Sequence, residues 1–279
     1  MKKFNVGVQL YSLRDMMEKD VEATLKAVSE IGYKYVEFAG YFGKTAEEMR
    51  ELLDRYGLKA ISVHQGYDVF LTDAKKNIDY LKGLGVKYCV IPWMDVSQHA
   101  GHPKFEQTVE EIKKVGKELK ENGIQLGYHN HDFEFDKFQN KNLIDWLYET
   151  VPADILETEF DCGWVTYAGE NPAEYIRKYA GRTHIVHLKD FTCKRFKSGP
   201  AYQLIDDDGN PMDVETDSRE DNGFEYRPVG QGKMNVPEIL KACDEVGVEY
   251  LIVEQDDFTN IEPLEAVKQS FEYLKSLGV

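Results

Sequence analysis

One short phrase recurs six times along the chain: a helical stretch, a glycine, then within two residues a run rich in β-branched and aromatic side chains. The copies are Gly32-Tyr33-Lys34-Tyr35-Val36-Glu37, Gly57-Leu58-Lys59-Ala60-Ile61-Ser62-Val63-His64, Gly85-Val86-Lys87-Tyr88-Cys89-Val90-Ile91, Gly123-Ile124-Gln125-Leu126-Gly127-Tyr128-His129, Gly181-Arg182-Thr183-His184-Ile185-Val186-His187 and Gly247-Val248-Glu249-Tyr250-Leu251-Ile252-Val253-Glu254. A glycine just past a helix terminus accepts left-handed backbone that strains other residues, and the apolar run after it reads as a buried strand. Each copy is an α-to-β junction. Two further strands complete the set, one over residues 6–10 and one over 155–160, which follows Pro152 in place of a glycine.

Apolar residues at helical spacing predict helices over 21–31, 45–56, 72–84, 104–122, 143–151, 172–179, 236–246 and 264–277. Val236, Ile239, Leu240, Cys243 and Val246 fall on one helical face, as a helix covering a sheet requires. Eight βα units over 279 residues predict an α/β fold, a (β/α)8 TIM barrel forming one domain across residues 1–279. The rival, an open doubly wound sheet, needs a GxGxxG turn after the first strand, where this chain has Val8-Gln9-Leu10-Tyr11-Ser12. Residues 190–233, after strand seven, far exceed the usual loop and contain Asp206-Asp207-Asp208-Gly209-Asn210-Pro211. They are expected to act as a lid or as a contact with a second copy of the chain in a homo-oligomer.

Lys and Arg number 34 against 50 Asp and Glu, a formal charge of −16, which argues against a nucleic-acid partner because phosphate recognition needs a cationic face. No stretch approaches the roughly 20 apolar residues of a membrane span, so no membrane partner is expected. Met1-Lys2-Lys3 leads directly into Phe4-Asn5-Val6 without an apolar leader, and the four cysteines form no CxxC pair. Both features favour a cytoplasmic location.

In such a barrel the chemistry sits at the C-terminal ends of the strands. Glu37, His64, His129, His187 and Glu254 lie five to seven residues after their junction glycines, Asp161 ends the sixth strand, and Gln9 lies near the end of the first. Five of the seven histidines, His64, His129, His131, His184 and His187, fall on or beside strands, and barrel closure points strand-end side chains at a common axis. Imidazole nitrogen and carboxylate oxygen together suit one divalent ion, Mn²⁺, Co²⁺, Zn²⁺ or Mg²⁺, with positions left for a sugar substrate. The alternative is a charged, water-filled barrel mouth without metal.

The phrases Val6-Gly7-Val8-Gln9-Leu10-Tyr11-Ser12-Leu13-Arg14-Asp15, Gly127-Tyr128-His129-Asn130-His131-Asp132-Phe133-Glu134-Phe135, Asp161-Cys162-Gly163-Trp164, His187-Leu188-Lys189-Asp190 and Pro228-Val229-Gly230-Gln231-Gly232 resemble the sugar phosphate isomerase/epimerase family. This is the xylose isomerase-like barrel group, which includes ketose 3-epimerases, inosose dehydratases and endonuclease IV. The resemblance implies one metal held at the ends of strands five to eight by Glu, Asp, His and Glu, and it maps the last three onto Asp161, His187 and Glu254. The strand-five Glu is replaced by His129, with His131 and Glu134 as the other candidates there. That departure removes one of the two carboxylates that the epimerases use as a facing acid/base pair.

The resemblance further implies a metal-dependent isomerase or epimerase that abstracts a proton next to the carbonyl of a ketose or related sugar. Glu254 is then the base, with His131 or Glu134 as the opposing acid/base. Gln9, Glu37 and His64 bind substrate hydroxyls, Trp164 contacts substrate or packs on a helix face, and Lys189 polarises a substrate oxygen or pairs with Asp190. Trp93, after Pro92, offers an apolar wall for a sugar ring or packs into the core. Gly230 and Gly232 are read as a tight turn. Glu157 and Glu159 alternate with Asp161 on one strand face, with Glu159 a partner for a ligand or for Lys189. The alternative reaction is that of a lyase or dehydratase on an inosose or 3-keto-glycoside. A non-catalytic carbohydrate-binding barrel is a third reading, and a trinuclear phosphodiesterase of the endonuclease IV kind is opposed by the −16 charge.

Overall fold

The structure is a computed structural model that describes residues 4–199 and 218–279. Eight parallel strands close into a barrel: β1 (Asn5–Gln9), β2 (Tyr35–Phe38), β3 (Lys59–His64), β4 (Tyr88–Ile91), β5 (Gln125–His129), β6 (Leu156–Asp161), β7 (Thr183–Leu188) and β8 (Tyr250–Val253). Each pairs with the next in sequence, and β8 closes on β1 with Val253 beside Val8.

The junction glycines behave as their positions require. Gly32, Gly57, Gly85, Gly123, Gly181 and Gly247 all have positive φ, between 65° and 121°, so each turns the chain out of a helix and into a strand. Helices Val21–Ile31 and Val236–Val246 match their expected spans, and the other expected helices shift at their ends, most at Asp68–Leu84, which begins four residues early and contains a non-helical Asp73. Short helices Arg14–Lys19 and Cys162–Tyr167 were not foreseen, because six residues, under two turns, are too few for an apolar period to show.

Apolar residues fill the layer between strands and helices, with Val8, Val36, Cys89, Leu126, Phe160, Val186 and Leu251 all buried. The base of the barrel is closed by Ile61, Ile185, Tyr250 and Ile252, with Tyr35 and Tyr88 packed against them. The buried His and carboxylate cluster lies at the opposite end, at and just beyond the C-terminal ends of the strands. Of the segment 190–233, Asp190–Thr192 pairs antiparallel with Glu225–Arg227, and Phe224 stacks on Trp164 with centroids 5.2 Å apart. Residues 200–217, including the 206–211 stretch, lie outside the described residues, and that part of the expected lid or subunit contact falls there. Among the described residues no helix is long and apolar enough to cross a membrane.

Candidate functional site

Strand register decides which side chains meet. His129 on β5 lies beside Glu159 on β6, and Asp161 on β6 lies beside His187 on β7 after a register shift between Thr158 and Glu159. Glu254 follows the last residue of β8. His129, Asp161, His187 and Glu254 are all buried and offer one ligand atom each, all within 4.8 Å of one another. A second group, His64, His129, Glu159 and His187, meets the same limit and shares both imidazoles.

The two groups use opposite nitrogens of those rings. His187 Nδ1 lies 3.0 Å from Glu254 Oε2, while its Nε2 lies 2.7 Å from Glu37 Oε1. His129 Nε2 lies 3.8 Å from Asp161 Oδ2, while its Nδ1 lies 3.2 Å from Glu159 Oε2. Two cations would force both rings to bind metal through both nitrogens. One cation at the outer group leaves Nε2–H of His187 to donate to Glu37 and Nδ1–H of His129 to donate to Glu159, which orients each ring. Asp161 Oδ2 is buried without a hydrogen-bond partner although its other oxygen accepts from the Trp164 amide at 2.9 Å. A buried carboxylate oxygen facing an imidazole nitrogen fits a divalent ion with mixed nitrogen and oxygen ligands.

Beneath this layer Glu37 is completely buried. Gln9 Nε2 donates to it at 2.8 Å, the Ser62 hydroxyl donates to its other oxygen, and His64 Nε2 lies 3.0 Å from Oε1. Gln9 and Glu37, expected to bind substrate, are thus spent on holding imidazoles. Burial would raise the Glu37 carboxyl, but the charges on His64 and His187 hold it well below its ordinary value. Burial opposes charge on His64, yet Glu37 and Glu159 raise it to about 10. His129 shifts the other way, because burial and the charges of His187 and His64 keep it neutral.

Lys189 forms the other wall. Its ammonium lies 2.9 Å from Glu254, 3.0 Å from Asp256 and 3.5 Å from Asp161, and not against Asp190. Burial opposes its charge, and Asp256, Glu254 and Asp161 outweigh burial and hold its pKa well above the ordinary range. Burial raises Asp161 to about 7 against the pull of Lys189 and His187. Asp190 instead accepts from the amides of Gly230, Gly232 and Met234 at 2.9–3.1 Å, so the turn after strand seven is pinned to the base of the site. Gly163 is explained by proximity too: a Cβ there would strike the carbonyl oxygen of Lys189.

His131 lies just beyond β5 with its ring 5.3 Å from that of His129, stacked on Phe133 and near Trp164. Its Nδ1 is buried and unpartnered, and burial together with Lys189 and Arg219 lowers its pKa to about 3. Glu134 is turned away. Tyr128 OH donates to its Oε1 at 2.6 Å and the His131 amide to its Oε2 at 2.8 Å, so Glu134 positions His131 and does not oppose it across the site. Trp164 is buried under His131 with Lys189 5.4 Å above its ring centre, which makes it a floor for these two groups.

A cavity of about 400 Å³ opens over the cluster, lined by His64, His129, His131, Lys189, Glu254 and Asp256 below and by Tyr11, Ala39, Pro92 and Trp93 above. Asp256 and Tyr226, whose hydroxyl donates to Asp256 at 2.9 Å, were not foreseen. Asp256 lies two residues beyond Glu254, a spacing that offered a signal, whereas nothing in the sequence links Tyr226 to the site.

The family described as xylose isomerase-like TIM barrel matches residues 25–277. The chain belongs to that family. Among its relatives, the inosose dehydratase of Mesomycoplasma hyopneumoniae strain 7448 is 27% identical, over 99% of this chain and 97% of its own. The inosose dehydratase of Clostridium perfringens strain 13 is 24% identical over 92% of this chain and 90% of its own. Two solved structures share the fold: a sugar phosphate isomerase/epimerase of Parabacteroides distasonis (TM-score 0.76, 23% identity, 99% of this chain and 95% of that one) and an L-ribulose 3-epimerase (TM-score 0.66, 13% identity, 98% and 94%). The barrel is therefore that of a sugar enzyme of this family, with a buried His/carboxylate cluster suited to a divalent metal.

Proposed function

We propose that this chain is a metal-dependent dehydratase, a lyase that removes water from a keto-sugar of the inosose kind. The observation that carries this reading is the one-sided acid/base chemistry of the cavity. Beside the cavity His131 has a buried nitrogen without a hydrogen-bond partner, strand five carries His129 where a facing carboxylate pair needs an acid, Glu134 is engaged by Tyr128, and the lining carboxylates Glu254 and Asp256 are engaged by Lys189. Epimerisation, one half of the reading first expected, calls for a proton donor on the far face of the reacting carbon, whereas elimination with a single base does not. The full-length similarity to inosose dehydratases supports the same choice.

His129, Asp161, His187 and Glu254 are the residues to hold the ion, which when bound polarises a ketone oxygen and its neighbouring hydroxyl. Glu37 and Glu159 keep the two imidazoles in the ligating orientation. Glu254 is ionised throughout the neutral range, because Lys189 and His187 outweigh its burial, and so serves better as ligand than as base. His131, neutral at pH 7, takes the proton from the carbon next to the ketone. His131 passes that proton to the hydroxyl on the following carbon, which leaves from the same face as water, while Lys189, held charged by its three carboxylates, orients that hydroxyl as a hydrogen-bond donor. His131 is thereby neutral again at the end of the reaction, and the buried walls keep bulk water from competing for its proton.

The test is incubation of the Mn²⁺-supplemented protein with keto-inositols and ketoses in heavy water. An unsaturated product supports the dehydratase; deuterium exchange without elimination supports an isomerase or epimerase instead.

A further inference from the structure

Four large apolar side chains are exposed among the described residues, and two of them, Trp93 at 55% and Tyr11 at 41%, line the same cavity as the buried polar cluster. Singly scattered exposed apolar residues are ordinary; two aromatics at the rim of one polar cavity are not. The cavity has two parts. Its floor is His64, His129, His131, Lys189, Glu254 and Asp256, and its rim is Tyr11, Ala39, Pro92 and Trp93, which carry no charge.

Tyr11 is held in place. Tyr11 stands in the turn Leu10–Leu13 directly after β1, where its amide donates to Gln9 Oε1 at 3.0 Å and Arg14 lies 4.5 Å over its ring. Gln9 in turn donates to Glu37, so the rim is tied to the layer that orients His187. Trp93 sits between Pro92 and the buried Met94, just past β4. A flat ring with a wet edge suits the C–H face of a sugar or an aryl group.

The electrostatics narrow the ligand further. Among the described lining residues Lys189 is already surrounded by Asp161, Glu254 and Asp256, and His64 is faced by Glu37 at 3.0 Å and Glu159 at 2.7 Å. Among the described residues, none that lines the rim is itself cationic, and Arg14 beside it is engaged with the ring and carbonyl of Tyr11.

We infer that the substrate is an uncharged keto-glycoside, whose reacting ring lies on the polar floor and whose second ring rests on Tyr11 and Trp93. This rests on the keto-sugar reading above and adds the second ring and the absence of phosphate. The cavity volume, about 400 Å³, falls within the range of sites for ligands larger than one small ring.

Binding of non-reacting analogues tests this without turnover. Calorimetry on the metal-loaded protein would compare glucose, cellobiose, phenyl β-glucoside and glucose 6-phosphate. The expected result is at least tenfold tighter binding of a two-ring probe than of glucose, with glucose 6-phosphate no tighter than glucose. The tighter of the two-ring probes identifies the second ring as sugar or aryl. Trp93→Ala and Tyr11→Ala should each shrink that gap to under threefold while leaving glucose unchanged, and Trp93→Phe should restore most of it. Tightest binding by the phosphate, a two-ring gap that survives both alanine variants, or no gap at all overturns the inference. Elimination from a free keto-inositol is scored separately: its absence counts against the dehydratase reaction, and the binding contrast is still read on its own.

Discussion

The Glu159 carboxylate accepts from Nδ1 of His129 across 3.2 Å, in the register that sets these two residues side by side on neighbouring strands. The same oxygen lies 2.7 Å from His64 Nε2 and 3.3 Å from His187 Nε2. One carboxylate therefore fixes the tautomers of the rings above it. Glu159→Gln should lower metal affinity by about 10–100-fold while the barrel stays folded. Competition with a chelator measures the affinity and circular dichroism the fold; wild-type affinity would remove Glu159 from this role.

Asp161 supplies a buried oxygen with no hydrogen-bond partner. Asp161→Asn should yield protein without stoichiometric divalent ion, as read by elemental analysis after dialysis. Stripping the wild type with a chelator should abolish turnover, and Mn²⁺ should restore it in the wild type alone.

Lys189 separates Asp161, Glu254 and Asp256, all within 3.5 Å of its ammonium. Replacing it with Met leaves buried carboxylates facing one another, and removal of one partner of a buried pair typically costs about 3–5 kcal/mol. Denaturant unfolding of Lys189→Met should show a loss of that order, and kcat should fall more than tenfold. A variant as stable as the wild type would contradict the arrangement.

Burial raises the Glu134 carboxyl to about 8, against hydrogen bonds from Tyr128 and the His131 amide that pull it down. An unfolded Glu titrates near about 4.3. Between those values the folded protein binds one proton more than the unfolded chain, so this group's contribution to stability falls as pH rises and levels off above the folded value. The slope is up to about 1.4 kcal/mol per pH unit. Urea unfolding at pH 5 and pH 8.5 should show a smaller loss for Glu134→Gln than for the wild type.

Gly163 has no room for a methyl group, because its Cβ would meet the Lys189 carbonyl. Gly163→Ala should cost about 1–3 kcal/mol through forced displacement of β7 from the short helix Cys162–Tyr167. Thermal unfolding checks this, and an unchanged midpoint would show that the two backbones can part freely.

The sequence by itself determined the barrel, since glycine punctuation and apolar periodicity are local signals, and each junction glycine needs its left-handed backbone whatever surrounds it. It also placed His129, Asp161, His187 and Glu254 at consecutive strand ends, because strand length and direction follow from the same repeat. Tertiary structure decided what those side chains face. The nitrogen each imidazole presents, the burial of Glu37 and Gln9 and the turning of Glu134 toward Tyr128 depend on contacts between segments remote in sequence. So does the reach of Tyr226 to Asp256, 30 residues away, which exists because the chain after strand seven folds back over Trp164. A single chain's pattern records which residues share a strand face, but barrel closure and register shifts set the ångström-scale distances between neighbouring strands, and the chemistry depends on those.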